Sequence, residues 1–471
     1  MTERKRELHL GLMFWAAGTH PSGWRFASSQ LDAPYNIEHL QYVTQVAERA
    51  KFDFLFLGDK LATDPVLQTT NPAQMSRLEP FISGASLAAA TSHIGIVVTA
   101  NPTYYDPYSL ARQFSSLDHL SQGRVSWNIV TGADPKAAAN FNRDDHWDTD
   151  QRYDWADEFV ATVKDLWDSW EDDAISGDGE TYADADKVHV INHRGQSFTV
   201  AGPLSTPRSP QAHPVILHAG TSDRSRELGA RDADAIFTSH PTLEEAQAYY
   251  ADIKGRAKKY GREDHEIKIL PSLTPIVAAT TEEAVAIYDQ LNSYVVLDPE
   301  DKPLGAGAFG RGGKNRNLTY VSSVIGVELK ANDYEGLVPP EVLAQANEEG
   351  QRIFREIKRL TRRDVTGDNR LTYRDLIIGA TTNAGTTIVG NPVEIADFIQ
   401  QWFEARGADG FNVFPPYVPS SVEAFADLVV PELQRRGIYR TDYSGATFRA
   451  HLGLERPANR LTHRASLKAA G

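Results

Sequence analysis

The sequence predicts a (β/α)8 barrel, and three observations carry that prediction. Eight short apolar runs recur along the chain, amphipathic helical stripes lie between them, and polar residues gather just after the runs. The runs are Leu8–Phe14, Asp53–Leu57, Ile94–Ala100, Val125–Val130, Val215–His218, Ala235–Thr238, Ile267–Leu273 and Gly410–Phe414. They are too apolar to leave one face in water, which is the pattern of parallel strands covered on both sides. Between them, Ala156, Phe159, Val160, Val163, Leu166, Trp167 and Trp170 recur at the spacing of one buried helical face. Ile395, Phe398, Ile399, Trp402 and Phe403 form a second such stripe, and Val422, Phe425, Ala426, Val429 and Leu433 a third. Strand–helix alternation gives right-handed crossovers, and eight repeats favour closure into a barrel over an open sheet.

Two stretches interrupt the rhythm, and they account for the length of 471 residues within one barrel domain spanning 1–454. Residues 172–214, between the fourth helix and the fifth strand, are rich in Gly, Asp and Pro; Val188–Ile191 and Ser197–Val200 read as a hairpin. Residues 297–390, between the seventh and eighth strands, hold Gly305-Ala-Gly-Ala-Phe-Gly310 and Arg311-Gly-Gly313, then a helical pattern across Glu341–Leu360. A long glycine-rich excursion of this kind is read as a lid, a substrate loop or a mobile linker. The tail, 455–471, carries Arg456, Arg460, Arg464 and Lys468 and is read as solvated or partner-docking.

Composition narrows the chemistry. With 63 acidic residues against 48 basic ones, the formal charge is −15, which disfavours nucleic acid and anionic membranes as partners. The chain has no Cys, so disulfides, iron–sulfur centres and thiol catalysis fall away. The charged start Met1–Glu7 is not followed by a signal-peptide core, and no apolar run is long enough for a membrane span; a cytoplasmic location is expected. Gly305–Gly310 matches a dinucleotide fingerprint in letters but lacks the preceding strand and following helix that the motif requires. Asp364, Asp368 and Asp375 echo a calcium loop, yet Asn369 stands where the sharp turn needs Gly. His189 and His193 would sit on the surface of a hairpin, and no metal site is expected.

In a parallel barrel, function collects where the strands end. Those ends read Trp15…His20…Trp24-Arg25; Gly58-Asp59; Asn101-Pro-Thr103-Tyr104-Tyr105; Asn128…Thr131-Gly132; His218-Ala-Gly220-Thr221-Ser222; Ser239-His240; and Phe414-Pro-Pro-Tyr417. Polar groups able to satisfy the edge of a heteroaromatic ring stand beside aromatic ones able to cover its face. Gly220 permits close backbone approach, and Ser222 with the first-turn N–H groups of the next helix can bind a phosphate; an ordinary N-cap serine gives the same letters. Asp59 reads equally as a helix cap or an ion-pair partner, and His20, His146 and His240 each read equally as structural histidines.

Longer segments carry a resemblance. Ala47-Glu-Arg-Ala-Lys-Phe52-Asp-Phe-Leu-Phe-Leu-Gly-Asp59, Phe114-Ser-Ser-Leu-Asp-His-Leu-Ser-Gln-Gly-Arg124-Val-Ser-Trp-Asn128-Ile-Val-Thr131 and Arg152-Tyr153-Asp-Trp-Ala-Asp-Glu158-Phe lead it. Gly202-Pro-Leu, Arg208-Ser-Pro-Gln211, Ala408-Asp-Gly-Phe411 and Val430-Pro-Glu-Leu-Gln-Arg-Arg-Gly437 continue it to Leu454. The chain resembles the luciferase-like flavin monooxygenases, in the branch of nitrilotriacetate, pristinamycin-synthase and dibenzothiophene-sulfone monooxygenases. That resemblance implies a bacterial-luciferase-like barrel and a two-component enzyme. Reduced FMN from a separate flavin reductase would react with O2 to a flavin peroxide, and a small organic substrate would be oxygenated, with cleavage of a C–N or C–S bond.

It further implies that Asp59, Asn101 and Asn128 face the isoalloxazine and ribityl region, that Tyr153, Gly220 and Ser222 hold the phosphate, and that His20 acts on the substrate side as the catalytic residue. A homo-oligomer, dimer or tetramer, is implied as well. Two positions depart from the relatives' pattern: Thr149 stands where many carry His, and Ser322-Ser-Val324-Ile-Gly326 lacks a His of the sulfone oxidisers. Three other readings remain open at this stage: a riboflavin-degrading oxygenase, a deazaflavin-dependent hydride-transfer enzyme, and a flavin-binding protein without turnover.

Overall fold

Eight strands pair side by side, all parallel, and the last returns to the first. The computed structural model describes residues 6–462 apart from 133, 178, 302–313 and 383–385. In chain order the strands are β1 (His9–Met13), β2 (Phe54–Leu57), β3 (Gly95–Ala100), β4 (Val125–Ile129), the hairpin β5 (His193–Arg194) and β6 (Thr199–Val200), β7 (Val215–Ala219), β8 (Ala235–Thr238), β9 (Lys268–Val277), β10 (Thr386–Gly390) and β11 (Gly410–Val413). The ring runs β1-β2-β3-β4-β7-β8-β9-β11 and closes through Gly11 opposite Asn412. These are the eight strands expected from the sequence.

Inside the ring the side chains are large, and glycines make room for them. Phe54, Phe56, Val97, Leu217, Ala235, Phe237 and Leu270 pack inward. A Cβ on Gly11 would lie 2.1 Å from the Phe54 ring, so no larger residue fits there. Phe448, from the short helix Phe448–His451, plugs the bottom of the barrel with its ring 5.7 Å from that of Phe54. Leu10, Leu12, Leu55, Ile96, Val98 and Trp127 point outward into the layer of helices. Asp53, fully buried at the start of β2, ties the bottom together: its oxygens meet Leu10 N–H at 2.8 Å, His9 Nδ1 at 2.9 Å and Arg440 at 2.8 Å. Burial alone would push that carboxyl up, but the Arg440 and His9 charges hold it below the ordinary Asp range.

Four expectations need correction. The second excursion ends in a strand the sequence reading passed over: β10 pairs in parallel with the upper half of β9, Thr387 opposite Thr274, and stands above β8, where Thr386 Oγ1 reaches His240 O at 3.0 Å. β9 runs on to Val277 to receive it, through Pro275 and past the Leu273 expected as its end. The pattern across Glu341–Leu360 is two helices, Pro340–Gln345 and Glu348–Thr361, because Asn347 caps the second by accepting Gly350 N–H at 2.8 Å. The Val422–Leu433 stripe contains a wider turn over Phe425–Val429, next to Pro431, which has no N–H to continue the ordinary ladder. The hairpin of the first insertion pairs His193 with Val200, leaving Val188–Ile191 outside it.

The excursion has its own apolar core, built on Leu318, Val321, Ile325, Phe354, Ile357 and Leu376. The glycine-rich segment Gly305–Gly313, read as a lid, lies outside the described residues, as do Arg464 and Lys468 of the tail. The described part of the tail docks on the body: Arg456 pairs with Asp172, and Asn459 Nδ2 donates to Asp168 O at 2.9 Å. His189 and His193 pair with two different carboxylates, Glu171 and Glu158. Asp364 leads through a turn into the helix Tyr373–Thr381, which Thr372 caps. Among the described residues no helix is long and apolar enough to cross a membrane.

The plug gives a direct test. Phe448→Ala empties a fully buried site and should cost about 3–5 kcal/mol of unfolding free energy; denaturant titration with an unchanged slope would show that the barrel itself survives.

Candidate active site

The loop after β1 is locked to the loop after β11. Gly18 (φ +86°) sits where a Cβ would be 2.4 Å from Pro416 O. Thr19 N–H donates to Pro415 O at 2.8 Å and His20 N–H to Pro416 O at 3.1 Å. This fixes the His20 ring. Its Nδ1 accepts Ser22 N–H at 3.1 Å, so the ring proton resides on Nε2, which faces Asn292 Oδ1 at 3.2 Å. Burial lowers the pKa of His20 to about 4, against the pull of Asn292, and the charge of Arg316 adds to the lowering. His20 is therefore a neutral donor at neutral pH.

At the end of β2, Asp59 is half-buried beside Arg77 and Glu79. Burial raises its carboxyl to about 6; the Lys60 N–H at 2.7 Å opposes this, the Glu79 charge adds to it, and the Arg77 charge lowers it. The Arg77 guanidinium lies 4.8 Å from the centre of the Trp15 ring, and burial pulls its own pKa to about 10. Lys60 reaches over to Asp134 at 2.9 Å and so ties the β2 end to the loop after β4.

Asn101, after β3, caps its own turn by accepting Thr103 N–H at 3.0 Å. Its amide nitrogen lies over Gly132 (φ +76°), where a Cβ would approach to 2.4 Å. Asn128 sits deeper, inside the barrel and 2% exposed. It donates from Nδ2 to Thr99 Oγ1 at 2.9 Å, while its Oδ1 has no partner among the described residues. The same is true of Ser272 Oγ and of both amide atoms of Asn412, on strands at the other side of the ring. The mouth thus has a polar floor with hydrogen-bonding capacity to spare.

On the β7 side, His218 points outward from the barrel. Its Nδ1–H donates to Ile129 O at 2.9 Å, and Nε2 meets Ser225 Oγ at 2.8 Å. Burial brings its pKa to about 4, which keeps the ring neutral. Ser225 lies against Gly220 (φ +144°), where a Cβ would sit 2.2 Å from its Oγ; only glycine fits this turn. Ser222 caps the helix Asp223–Asp232 by accepting Ser225 N–H at 3.3 Å and is itself exposed. Tyr153, from the helix Thr149–Trp167, stands edge-on to His218 at 6.4 Å, with the Arg224 guanidinium 5.7 Å from its ring centre. Thr149 is occupied by Arg152 Nη2 at 3.2 Å.

The structure therefore forms two groups. Tyr153, Gly220 and Ser222 gather at β7, and Asp59, Asn101 and Asn128 follow the arc from β2 to β4. His20 joins neither: β1 and β7 stand four strands apart in either direction round the ring. His240 is held by Thr238 Oγ1 at 2.8 Å, and His146 by Tyr104 at 3.0 Å. The sequence reading had not singled out Arg77, Asn292, Ser225, Ser272 or Asn412. Of these, Ser225 carried a signal, as the first-turn residue of the helix that Ser222 caps.

The shifted carboxyl is measurable. With 13C-labelled aspartate, the resonance absent from Asp59→Asn should titrate with a midpoint near 6. Because the Arg77 charge favours the ionised form, Arg77→Gln should move that midpoint upward; a midpoint near 4 in either protein contradicts this reading of the environment.

Comparison with known proteins agrees with this architecture. The family described as luciferase-like monooxygenase matches residues 13–410. Nitrilotriacetate monooxygenase component A of Aminobacter aminovorans is 41% identical, over 96% of this chain and 98% of its own. Among solved structures, a long-chain alkane monooxygenase superposes with a TM-score of 0.76 at 30% identity, covering 98% of this chain and all of its own. A riboflavin lyase, solved with modified FMN and riboflavin, gives 0.74 at 30% identity, covering 96% and 97%. A match over most of the chain, a full-length relative at this identity and the closed eight-stranded ring agree: the chain belongs to the luciferase-like monooxygenase family.

Proposed function

We propose that this chain is the oxygenase component of a two-component system, using reduced FMN and O2 to oxygenate a small organic substrate and cleave a C–N or C–S bond in it. The observation that supports this most directly is the opposition of the two sides of the mouth. A turn that only glycine can make, with an exposed capping serine and free first-turn N–H groups, suits the phosphate of an elongated ligand. The ends of β2, β3 and β4 lie between that turn and His20, and they carry Asp59, Asn101 and Asn128, matched to the polar edge of a flavin. The Oδ1 of Asn128, unpartnered among the described residues, is an acceptor held ready for a ligand donor.

When bound, reduced FMN supplies the two electrons for O2 activation, with one oxygen atom passing to the substrate and the other leaving as water. The protein's part is to bind, orient and keep water out. Ser222 Oγ, Tyr153 and the helix N–H groups hold the phosphate end. Asn101 and Asp59 fix the ribityl and ring end, and the closed floor below excludes solvent. His20 places its Nε2–H beside the substrate as a hydrogen-bond donor, exchanging Asn292 for the substrate as partner. A separate flavin reductase would provide the reduced cofactor, in keeping with the "component A" in the name of the relative. The likeness to a riboflavin lyase keeps a second reading in play, in which a flavin is itself the substrate.

Anaerobic titration should show tight binding of reduced FMN. Ser222→Ala and Tyr153→Phe should each weaken it about tenfold, the loss of one good hydrogen bond to a charged group; unchanged affinity would place the phosphate elsewhere. Exposure of the loaded protein to 18O2 with aminopolycarboxylates, sulfonates, N-heterocycles or riboflavin should label one product, and no labelled product from any of them would sink the proposal.

A further inference from the structure

The His20 side of the mouth has a charge pattern that the flavin does not use. Elsewhere in the excursion Arg355 is exposed and Arg370 donates to the carbonyls of Val365 and Val338, and several half-buried arginines are matched to acids: Arg363 pairs with Asp289 and Asp375, Arg352 with Glu349, Arg359 with Glu356. Arg316 is not. It is half-buried, and among the described residues its guanidinium makes no ion pair and no hydrogen bond. Asp298 is the acid whose charge reaches it, yet Asp298 Oδ2 is 2.9 Å from the Arg316 backbone N–H, and Asp298 N–H donates back to Arg316 O at 3.0 Å. That pair of bonds pins the Arg316 backbone to the strip 292–298. The same strip holds His20 through Asn292 and receives Arg25 Nη1 at Tyr294 O, 2.7 Å away. Arg25 makes no ion pair either among the described residues; its guanidinium lies 5.9 Å and 5.3 Å from the rings of Trp24 and Tyr294.

A half-buried guanidinium with no acid in contact keeps its hydrogen-bonding fork available, and in a chain with a net charge of −15 the lack of a contacting acid is a local arrangement, not a shortage of carboxylates. Burial keeps the His20 ring neutral and the charge of Arg316 adds to this, so His20 is no second cation competing for an incoming anion. Arginine presents a planar fork that matches a carboxylate in two places. The Gly220–Ser222 turn, which would hold the flavin phosphate, follows β7, four strands round the ring from β1 and His20.

We propose that Arg316 is the anion-recognition residue of the substrate site, that it receives a carboxylate group of the organic substrate, and that Arg25 steers such substrates to the mouth. The substrates are then small carboxylic acids, and neutral molecules of the same size are rejected because they leave the guanidinium unmatched. This inference rests on the flavin reading for its placement of the substrate, but it can be tested without flavin.

The probe is propane-1,2,3-tricarboxylate, with its trimethyl ester as the neutral control, titrated calorimetrically into the full chain. The tricarboxylate should bind at one site and the ester should not. Arg316→Gln should weaken the tricarboxylate at least tenfold, Arg316→Lys should keep part of the affinity, and Ser222→Ala should leave it unchanged. Retained binding of reduced FMN by Arg316→Gln shows that the variant is folded. In the unaltered protein the tricarboxylate should also shield Arg316 from phenylglyoxal, read by peptide mass. Equal affinity in Arg316→Gln, equal binding of acid and ester, no binding of the acid, or no shielding of Arg316 each overturns the proposal. Loss of FMN binding with carboxylate binding intact would overturn the flavin reading instead.

Discussion

The length of β9 is the constraint on which the rest of the structure depends. Its lower half pairs with β8 and, through Ser272 and Leu273, with β11, and so completes the ring. Its upper half rises past the rim and pairs with β10. Because the strand continues above the barrel, the helix that follows it, Thr281–Ser293, comes down onto the mouth and places Asn292 against His20. Cut at Leu273, the strand would still close the barrel, but it would leave β10 without a partner and His20 without its acceptor. One strand thus joins a parallel barrel, stable by packing, to the excursion with its own core.

Around the mouth the histidines are kept uncharged at neutral pH. His20, His218 and His240 are all brought to about 4, in each case mainly by burial, and Asp59 is raised to about 6 by the same cause. Neutral imidazoles with one nitrogen donating and the other accepting are fixed in tautomer by their neighbours, which makes them positioning elements. His218 shows this most fully: it spans from the β4 carbonyl of Ile129 to Ser225 and so sets the turn at Gly220. Against that quiet background the charges of Arg316 and Arg77 stand out. The Arg77 charge acts on Asp59, and the Arg316 charge on His20.

The sequence was most legible where one physical signal dominated. Strands such as Ile94–Ala100 are buried on both faces, so their composition alone reveals them. β10, by contrast, reads Thr-Thr-Ile-Val-Gly and follows a stretch of Thr, Asn and Gly, so its pairing with β9 could not be seen locally. Residues at strand ends were legible as a group, because a barrel presents them together. Which of them meet was not: the separation of His20 from Gly220 follows from strand order, and the burial of Asn128 from its place in β4, facing into the ring. Asn292 comes to His20 from a sequence-distant helix, and no spacing rule reaches that far.

The floor of the barrel shows what kind of molecule this is. Phe56 and Phe237 meet across the interior at 6.0 Å, as an apolar barrel core requires. Asn128 and Asn412, on strands that face each other across the ring, put amides into the same interior, and Ser272 adds a hydroxyl. An unmatched buried polar atom costs about 1–3 kcal/mol, and an aliphatic residue at position 412, fully buried, would carry none of that cost. A barrel selected for stability alone would fill these places with leucine or valine. Retaining amides directly beneath the mouth trades packing energy for polarity at the point where a ligand ring would rest. That trade distinguishes this end of the barrel from the one closed by Phe448.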